Sequence, residues 1–280
     1  MRLSLLLSLV ITFGSGNCLS CPSLLAEESG ASTQETRPRE TRPSWYLGRQ
    51  IAPTMSADGA EWLIRKSRVR EEQPRKLLEA LQIKRGQQVC DFGCGNGYHT
   101  LPLAREVGPR GKVFAVDIQQ EMLDLLDARA QPRGLENIEP VLATLTDPKL
   151  PRRQLDMVLM VDVYHELFQP PVILQAIHAS LNEKGRIVLV EFREEDPAVP
   201  IRPLHKMSQS QVMKEICANH FKLVGQFDGL PWQHVLFFAR DDSPLPEKQL
   251  VPWQSEESAQ AAPSTTKESS AETAVDKQEN

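Results

Sequence analysis

Asp91-Phe-Gly-Cys-Gly-Asn-Gly97 follows the apolar run Gln88–Phe92 and precedes a helical pattern that begins at Tyr98. A strand that turns through glycines into a helix is the setting in which a backbone cradle for a nucleotide forms. Glycine permits positive φ and lets a ligand approach the main chain closely. The helix beyond the turn presents N–H groups that have no intrahelical partner. An acidic residue stands ahead of the loop at Asp91, and one residue separates its second glycine from its third. That D-x-G-x-G-x-G spacing departs from the G-x-G-x-x-G turn of the dinucleotide-binding dehydrogenases.

Outward from the loop, Gln88–Phe92, Val113–Asp117, Ile138–Leu142, Leu155–Val161 and Arg186–Phe192 form five short, mostly apolar runs. Tyr98–Val107, Gln120–Arg129 and Pro171–Leu181 have helical spacing between them. Strands that alternate with helices predict a parallel sheet covered on both faces. A further helix over Ser208–Asn219 leads into strands at Phe221–Phe227 and His234–Arg240, joined by Asp228-Gly-Leu-Pro231.

The second strand ends in Val116-Asp117. A carboxylate there can accept hydrogen bonds from ribose hydroxyls, as in the dinucleotide folds; it can also cap the helix that follows. With the loop, this aspartate and the strand pattern in place, the chain from about Trp62 to Arg240 resembles bacterial class I S-adenosylmethionine-dependent methyltransferases. The resemblance implies a Rossmann-like α/β fold: a doubly wound, mostly parallel seven-stranded sheet with an antiparallel last strand. It also implies S-adenosylmethionine as cofactor. By the same resemblance, Asp91 orients the loop and faces the methionine amino group. Gly93 and Gly95 pass under the methionine and ribose, with Gly97 completing the loop, and Asp117 holds the ribose hydroxyls. Thr146 and Asp147, after the third strand, fall where the family contacts the adenine amino group.

Methyl transfer is an in-line displacement that needs alignment in a dry pocket and a base where the nucleophile carries a proton. Acceptor residues are expected at the C-terminal ends of the fourth and fifth strands. Asp162-Val-Tyr-His-Glu166 and Glu191-Phe-Arg-Glu-Glu-Asp196 occupy those ends. His165 is the candidate base, since imidazole titrates near neutrality; the alternative is a histidine that fixes the crossover loop. Tyr164 and Glu166 are candidate pocket residues or the start of the next helix. Glu191, Arg193, Glu195 and Asp196 read as a solvated charge run from which one residue reaches the pocket. His205 and His234 lie on connections that can fold over the cleft, and Trp62 to Glu72 is expected to form a lid over the cofactor.

A formal net charge of -5 offers no electrostatic case for a nucleic-acid partner. No Asn/Asp-Pro-Pro-Tyr follows the fourth strand, and basic or aromatic stripes suited to RNA are not evident. A small-molecule acceptor is the expectation. Two other classes stay open: a non-catalytic S-adenosylmethionine-binding protein of the same fold, and a nicotinamide-dependent oxidoreductase, which the loop spacing disfavours.

The ends differ in composition from the centre. A basic start, the apolar run Leu3–Phe13 and small residues through Ser20 have the layout of a signal peptide. Acylation of Cys21 is a second reading of that region. Residues 21–53 read as a disordered linker, 54–240 as the methyltransferase domain and 241–280 as a disordered tail. Export follows if the leader is genuine, whereas a start at Met55 gives a cytoplasmic enzyme. Cys18-x-x-Cys21 is half a zinc site without a second half, so no metal is expected. Cys90 and Cys94 read as packing residues.

Overall fold

The structure, a computed structural model, describes residues 45–255. The expected signal peptide, Cys18, Cys21, most of the linker and the end of the tail lie outside the described residues.

A hairpin of two short strands, β1 (Trp45–Tyr46) and β2 (Arg49–Gln50), opens the described chain. Three helices follow: α1 (Ala60–Leu63), α2 (Arg68–Glu72) and α3 (Pro74–Leu81). The alternating unit then runs β3 (Gln88–Phe92), α4 (Thr100–Val107), β4 (Lys112–Asp117), α5 (Gln120–Ala130) and β5 (Ile138–Leu142). It continues with β6 (Leu155–Val161), α6 (Pro170–Ser180), β7 (Leu181–Phe192), α7 (Gln209–Cys217), β8 (Phe221–Phe227) and β9 (Gln233–Arg240).

The large sheet has the order β5-β4-β3-β6-β7-β9-β8. The pairs from β5 to β7 are parallel, and β9 inserts antiparallel to both β7 and β8. Period-two alternation of side chains decides which layer each strand residue enters. Cys90, Val158, Met160, Ile187, Leu189, Leu236 and Phe238 face α6 and α7. Val89, Met157, Leu159, Val188, Val190, Val235 and Phe237 face α3 and α4. Both faces are apolar, which is why these strands read as continuous hydrophobic runs. Cys90 and Cys94 are buried thiols within this packing.

Both expected domain boundaries move outward. Ile51 and Ala52 are buried, and Ala52 donates its N–H to the His165 carbonyl at 3.1 Å. At the other end, Lys248 N donates to Leu223 O at 2.8 Å and Val251 N to Gln226 Oε1 at 3.0 Å. Trp253 donates its N–H to Gln209 Oε1 at 2.8 Å and lies under the Arg193 guanidinium. Each of these bonds is donated by a main-chain N–H, which polar composition does not advertise. Residues 241–255 therefore strap the sheet edge, where a free tail was expected.

Gly97 closes the glycine loop with φ +81°. A Cβ there would overlap Leu126 Cδ1 of α5, so this glycine sets how closely the loop packs on that helix. Gly134 has φ +61° but open space around its Cβ position. We expect Gly97→Ala to cost about 2–4 kcal/mol, a fall in Tm of roughly 5–10 °C, and Gly134→Ala about 1 kcal/mol. Equal melting temperatures for the two variants would show that the Leu126 contact is not limiting.

Candidate active site

A cavity of about 610 Å³ opens at the C-terminal ends of β3, β4, β6 and β7. That lies within the range of small-molecule sites. Gly93, Gly95, Asp117, Gln119 and Met122 line one part of it, and His165, Glu166, Phe168, Ile201 and His205 another. Pro53, Met55, Trp62, Leu63 and Arg68 come from the N-terminal segment, so the expected lid does border the cavity. Ion pairs Arg65–Glu71, Arg65–Glu72 and Arg68–Glu72 stiffen that segment.

In the glycine-loop part, Asp117 Oδ2 accepts from Gly95 N at 2.9 Å and Oδ1 from Gln119 N at 3.0 Å. The carboxylate thus ties β4 to the loop and also caps the turn into α5. Gly93 and Gly95 hold positive φ, and a Cβ on either would lie under 3.0 Å from Val163 or Leu63. The loop is therefore a cradle in which side chains would displace neighbours. Its shape and the bordering carboxylate fit the nucleoside part of S-adenosylmethionine.

Several expected contacts are redirected. Asp91 does not border the cavity; it is buried beneath the loop, where Thr100 Oγ1 donates to Oδ2 at 2.6 Å and anchors α4. Gly97 faces α5. Thr146 and Asp147 are exposed in a turn stapled by Thr144 Oγ1, which accepts from both of their N–H groups. Thr144 and Leu145 border the cavity in their place, and Lys149 closes the turn, its N–H donating to Asp147 Oδ1 and its Nζ to the Leu142 carbonyl. Tyr164 also points away: it is fully buried and its hydroxyl donates to Glu215 at 2.9 Å. It belongs to the core.

His165 and Glu166 do reach the cavity. They stand in a short turn, Tyr164–Glu166, entered through Asp162 in a left-handed conformation with φ +55°. Glu191 was expected in a solvated run, yet it is fully buried in β7. Its Oε2 is 2.7 Å from His165 Nδ1, and its Oε1 accepts from Tyr164 N at 2.9 Å. A buried carboxylate needs such donors to offset its desolvation. Arg193 is buried too, donating to the carbonyls of Leu230, Pro231 and Gln233. His234 is buried within β9, bound to the Met207 carbonyl at 2.9 Å, and does not border the cavity. His205 does, with Nδ1 3.1 Å from His165 Nε2.

Arg49 is a positioning residue that sequence reasoning missed. Its guanidinium grips Glu215 through two bonds, at 2.8 and 3.0 Å, and donates to the His165 carbonyl at 2.8 Å. Burial pushes Glu166 up to about 7 and lowers His205, whose neighbour His165 adds to the effect.

Burial also raises Asp91 from 3.8 to about 6, against the hydrogen bond from Thr100. The folded chain therefore binds this proton more tightly than the unfolded chain. Its stabilising effect is present at low pH, and stability falls as pH rises from about 4 to 6, by roughly 3 kcal/mol if Asp91 acts alone. Urea midpoints of wild type and Asp91→Asn across pH 4–7 should diverge in that interval. Parallel curves would count against it.

Residues 83–257 match the family model of a methyltransferase domain. Aklanonic acid methyltransferase DauC of Streptomyces sp. (strain C5) is 32% identical over 115 residues, 40% of this chain and 51% of that protein. Demethylmenaquinone methyltransferase of Lactobacillus johnsonii is 28% identical over 153 residues, 54% of this chain and 60% of that protein. The chain thus spans about half to three-fifths of the length of these curated relatives. A SAM-dependent methyltransferase structure from Aquifex aeolicus shares the fold, with TM-score 0.62, 22% identity and coverage of 66% of this chain and 98% of that one. With the family model running from ahead of β3 to beyond β9, this chain belongs to the class I S-adenosylmethionine-dependent methyltransferases.

Proposed function

We propose that this protein transfers the methyl group of S-adenosylmethionine to a small, largely apolar molecule. The supporting observation is that one cavity joins the glycine loop and Asp117 to a cluster of proton-accepting side chains. When bound, S-adenosylmethionine supplies an electrophilic methyl on a positively charged sulfur. Asp117 accepts hydrogen bonds from the ribose hydroxyls, while Gly93 and Gly95 leave room for the chain of the cofactor. Leu167, Phe168, Ile173, Phe192, Pro200 and Ile201 make the acceptor part apolar, which favours a molecule with hydrocarbon surface.

The basic nitrogen at the acceptor is His165 Nε2. Glu191 fixes its partner nitrogen, Nδ1, as a donor, leaving the Nε2 lone pair directed into the cavity. An acceptor oxygen or nitrogen would take the place of the His205 hydrogen bond and give up its proton there. Two relatives named above act, by name, on aklanonic acid and demethylmenaquinone, and molecules of that kind suit the apolar lining of the acceptor part.

Asp117→Ala should weaken S-adenosylmethionine binding at least tenfold in calorimetry, with the circular dichroism spectrum unchanged; undiminished affinity would remove the ribose role. Once a turnover assay is set up from a screen of small-molecule acceptors, His165→Ala should lower kcat by 10²–10⁴-fold, the scale of general base catalysis. Its affinity for S-adenosylmethionine should change little. A variant that loses both together would assign His165 to the fold.

A further inference from the structure

His165, Glu166 and His205 bring two imidazole nitrogens and a carboxylate oxygen together at the cavity wall. His165 Nε2 lies 3.1 Å from His205 Nδ1 and 3.8 Å from Glu166 Oε1, and His205 Nδ1 lies 3.9 Å from the same oxygen. A point equidistant from three atoms at those separations is about 2.1 Å from each, the bond length of zinc to imidazole nitrogen or carboxylate oxygen. All three residues border the cavity. We propose that they bind a divalent transition-metal ion, Zn²⁺ or a similar borderline ion, with its remaining positions open to the acceptor.

The surroundings are those a metal site requires. Glu191, fully buried, holds His165 Nδ1 at 2.7 Å. That carboxylate–imidazole bond fixes the tautomer and orients the ring as a ligand. The backbone of His165 is held in turn, its carbonyl accepting from Ala52 N and Arg49 Nη1. Metal binding would replace the His165–His205 hydrogen bond, with the His205 proton carried on Nε2 so that Nδ1 presents its lone pair. Glu166 has a largely buried carboxylate whose ion-pair partners among the described residues are these same two imidazoles. Two imidazoles with one carboxylate select zinc, iron(II), cobalt or nickel over magnesium or calcium, which prefer all-oxygen sites.

The use of the ion rests on the methyl-transfer reading; its binding does not. An acceptor hydroxyl placed on the open position would lose its proton to solvent past His205, the more exposed ligand. The resulting oxygen lone pair forms the new bond to the methyl carbon. The carbon–sulfur bond breaks with its electron pair left on sulfur, giving S-adenosylhomocysteine and the methyl ether. His165 then acts as a ligand, and proton removal follows from the lowered pKa of the bound oxygen.

The test uses the untagged full chain, stripped with chelator and titrated with Zn²⁺ by calorimetry and with Co²⁺ by visible absorption. One equivalent should bind at the site and give the absorption bands of nitrogen-ligated Co²⁺. Glu166→Gln and His205→Ala should each weaken that equivalent at least tenfold, and Glu191→Gln by about 10–100-fold through the loosened His165 ring. The second group of possible ligands, His178, Asp241 and Asp242, and the cysteines, would be untouched by these variants, so adventitious binding there would persist. Equal affinity in wild type and the three variants would overturn the proposal. Binding of S-adenosylmethionine to the stripped chain is measured separately: if it persists while metal fails, His165 returns to the role of proton acceptor. If both fail, the methyl-transfer reading falls as well.

Discussion

The sheet changes direction between β3 and β6. The chain lays β4 and β5 on one side of β3, then crosses back to place β6 and β7 on the other. Connections leaving the ends of β3 and β6 must therefore diverge, and a crevice opens where no backbone crosses. Gly93 and Gly95 leave β3 on one side of that crevice, and Asp162 and Val163 leave β6 on the other. The strand-end residues of the cavity take their position from this reversal. The antiparallel β9, inserted beside β7, closes the same sheet and brings Gln233 to the Asp162 carboxylate at 2.8 Å.

Three buried carboxylates hold the crevice in shape. Asp91 ties the loop to α4 through Thr100, Glu191 ties β7 to the histidine turn, and Glu215 ties α7 to Arg49 and Tyr164. Each would be costly to bury without donors, and each has at least one at hydrogen-bonding distance. The Arg49–Glu215 pair also has a positional consequence. The β1–β2 hairpin has two residues per strand and could not dock on its own. Its guanidinium anchors it over α7 and simultaneously grips the His165 carbonyl, so the N-terminal segment becomes a wall of the cavity.

Local periodicity made the sheet legible, since strands buried on both faces must be apolar throughout. The glycine loop was legible for a similar reason: its conformation demands particular residue types at fixed spacing. Side-chain direction after β6 was not, because Tyr164, His165 and Glu166 are consecutive and only the turn geometry decides which faces the cavity. The inward turn of Tyr164 depends on Glu215, fifty-one positions away. Thr146 and Asp147 failed for the opposite reason, as a local staple at Thr144 turned them to solvent. Glu191 did carry a signal. It sits inside Ile187-Val-Leu-Val-Glu-Phe192, and a carboxylate within a run buried on both faces cannot be solvated. Such a residue must have an internal partner, which here is His165.

The two halves of the cavity are also shaped by each other. Asp162 is not glycine, yet it adopts φ +55°, a conformation that costs a side-chain-bearing residue about 1 kcal/mol. Two hydrogen bonds from Gln233 Nε2 to its carboxylate offset that cost and would be lost with glycine. The left-handed step places Val163 where a Cβ on Gly93 would lie 2.6 Å from its side chain. Gly93 must therefore lack a side chain for a second reason, independent of any ligand. The turn that aims His165 into the cavity and the loop that forms the cradle occupy the same space, so neither can change its residue without the other yielding.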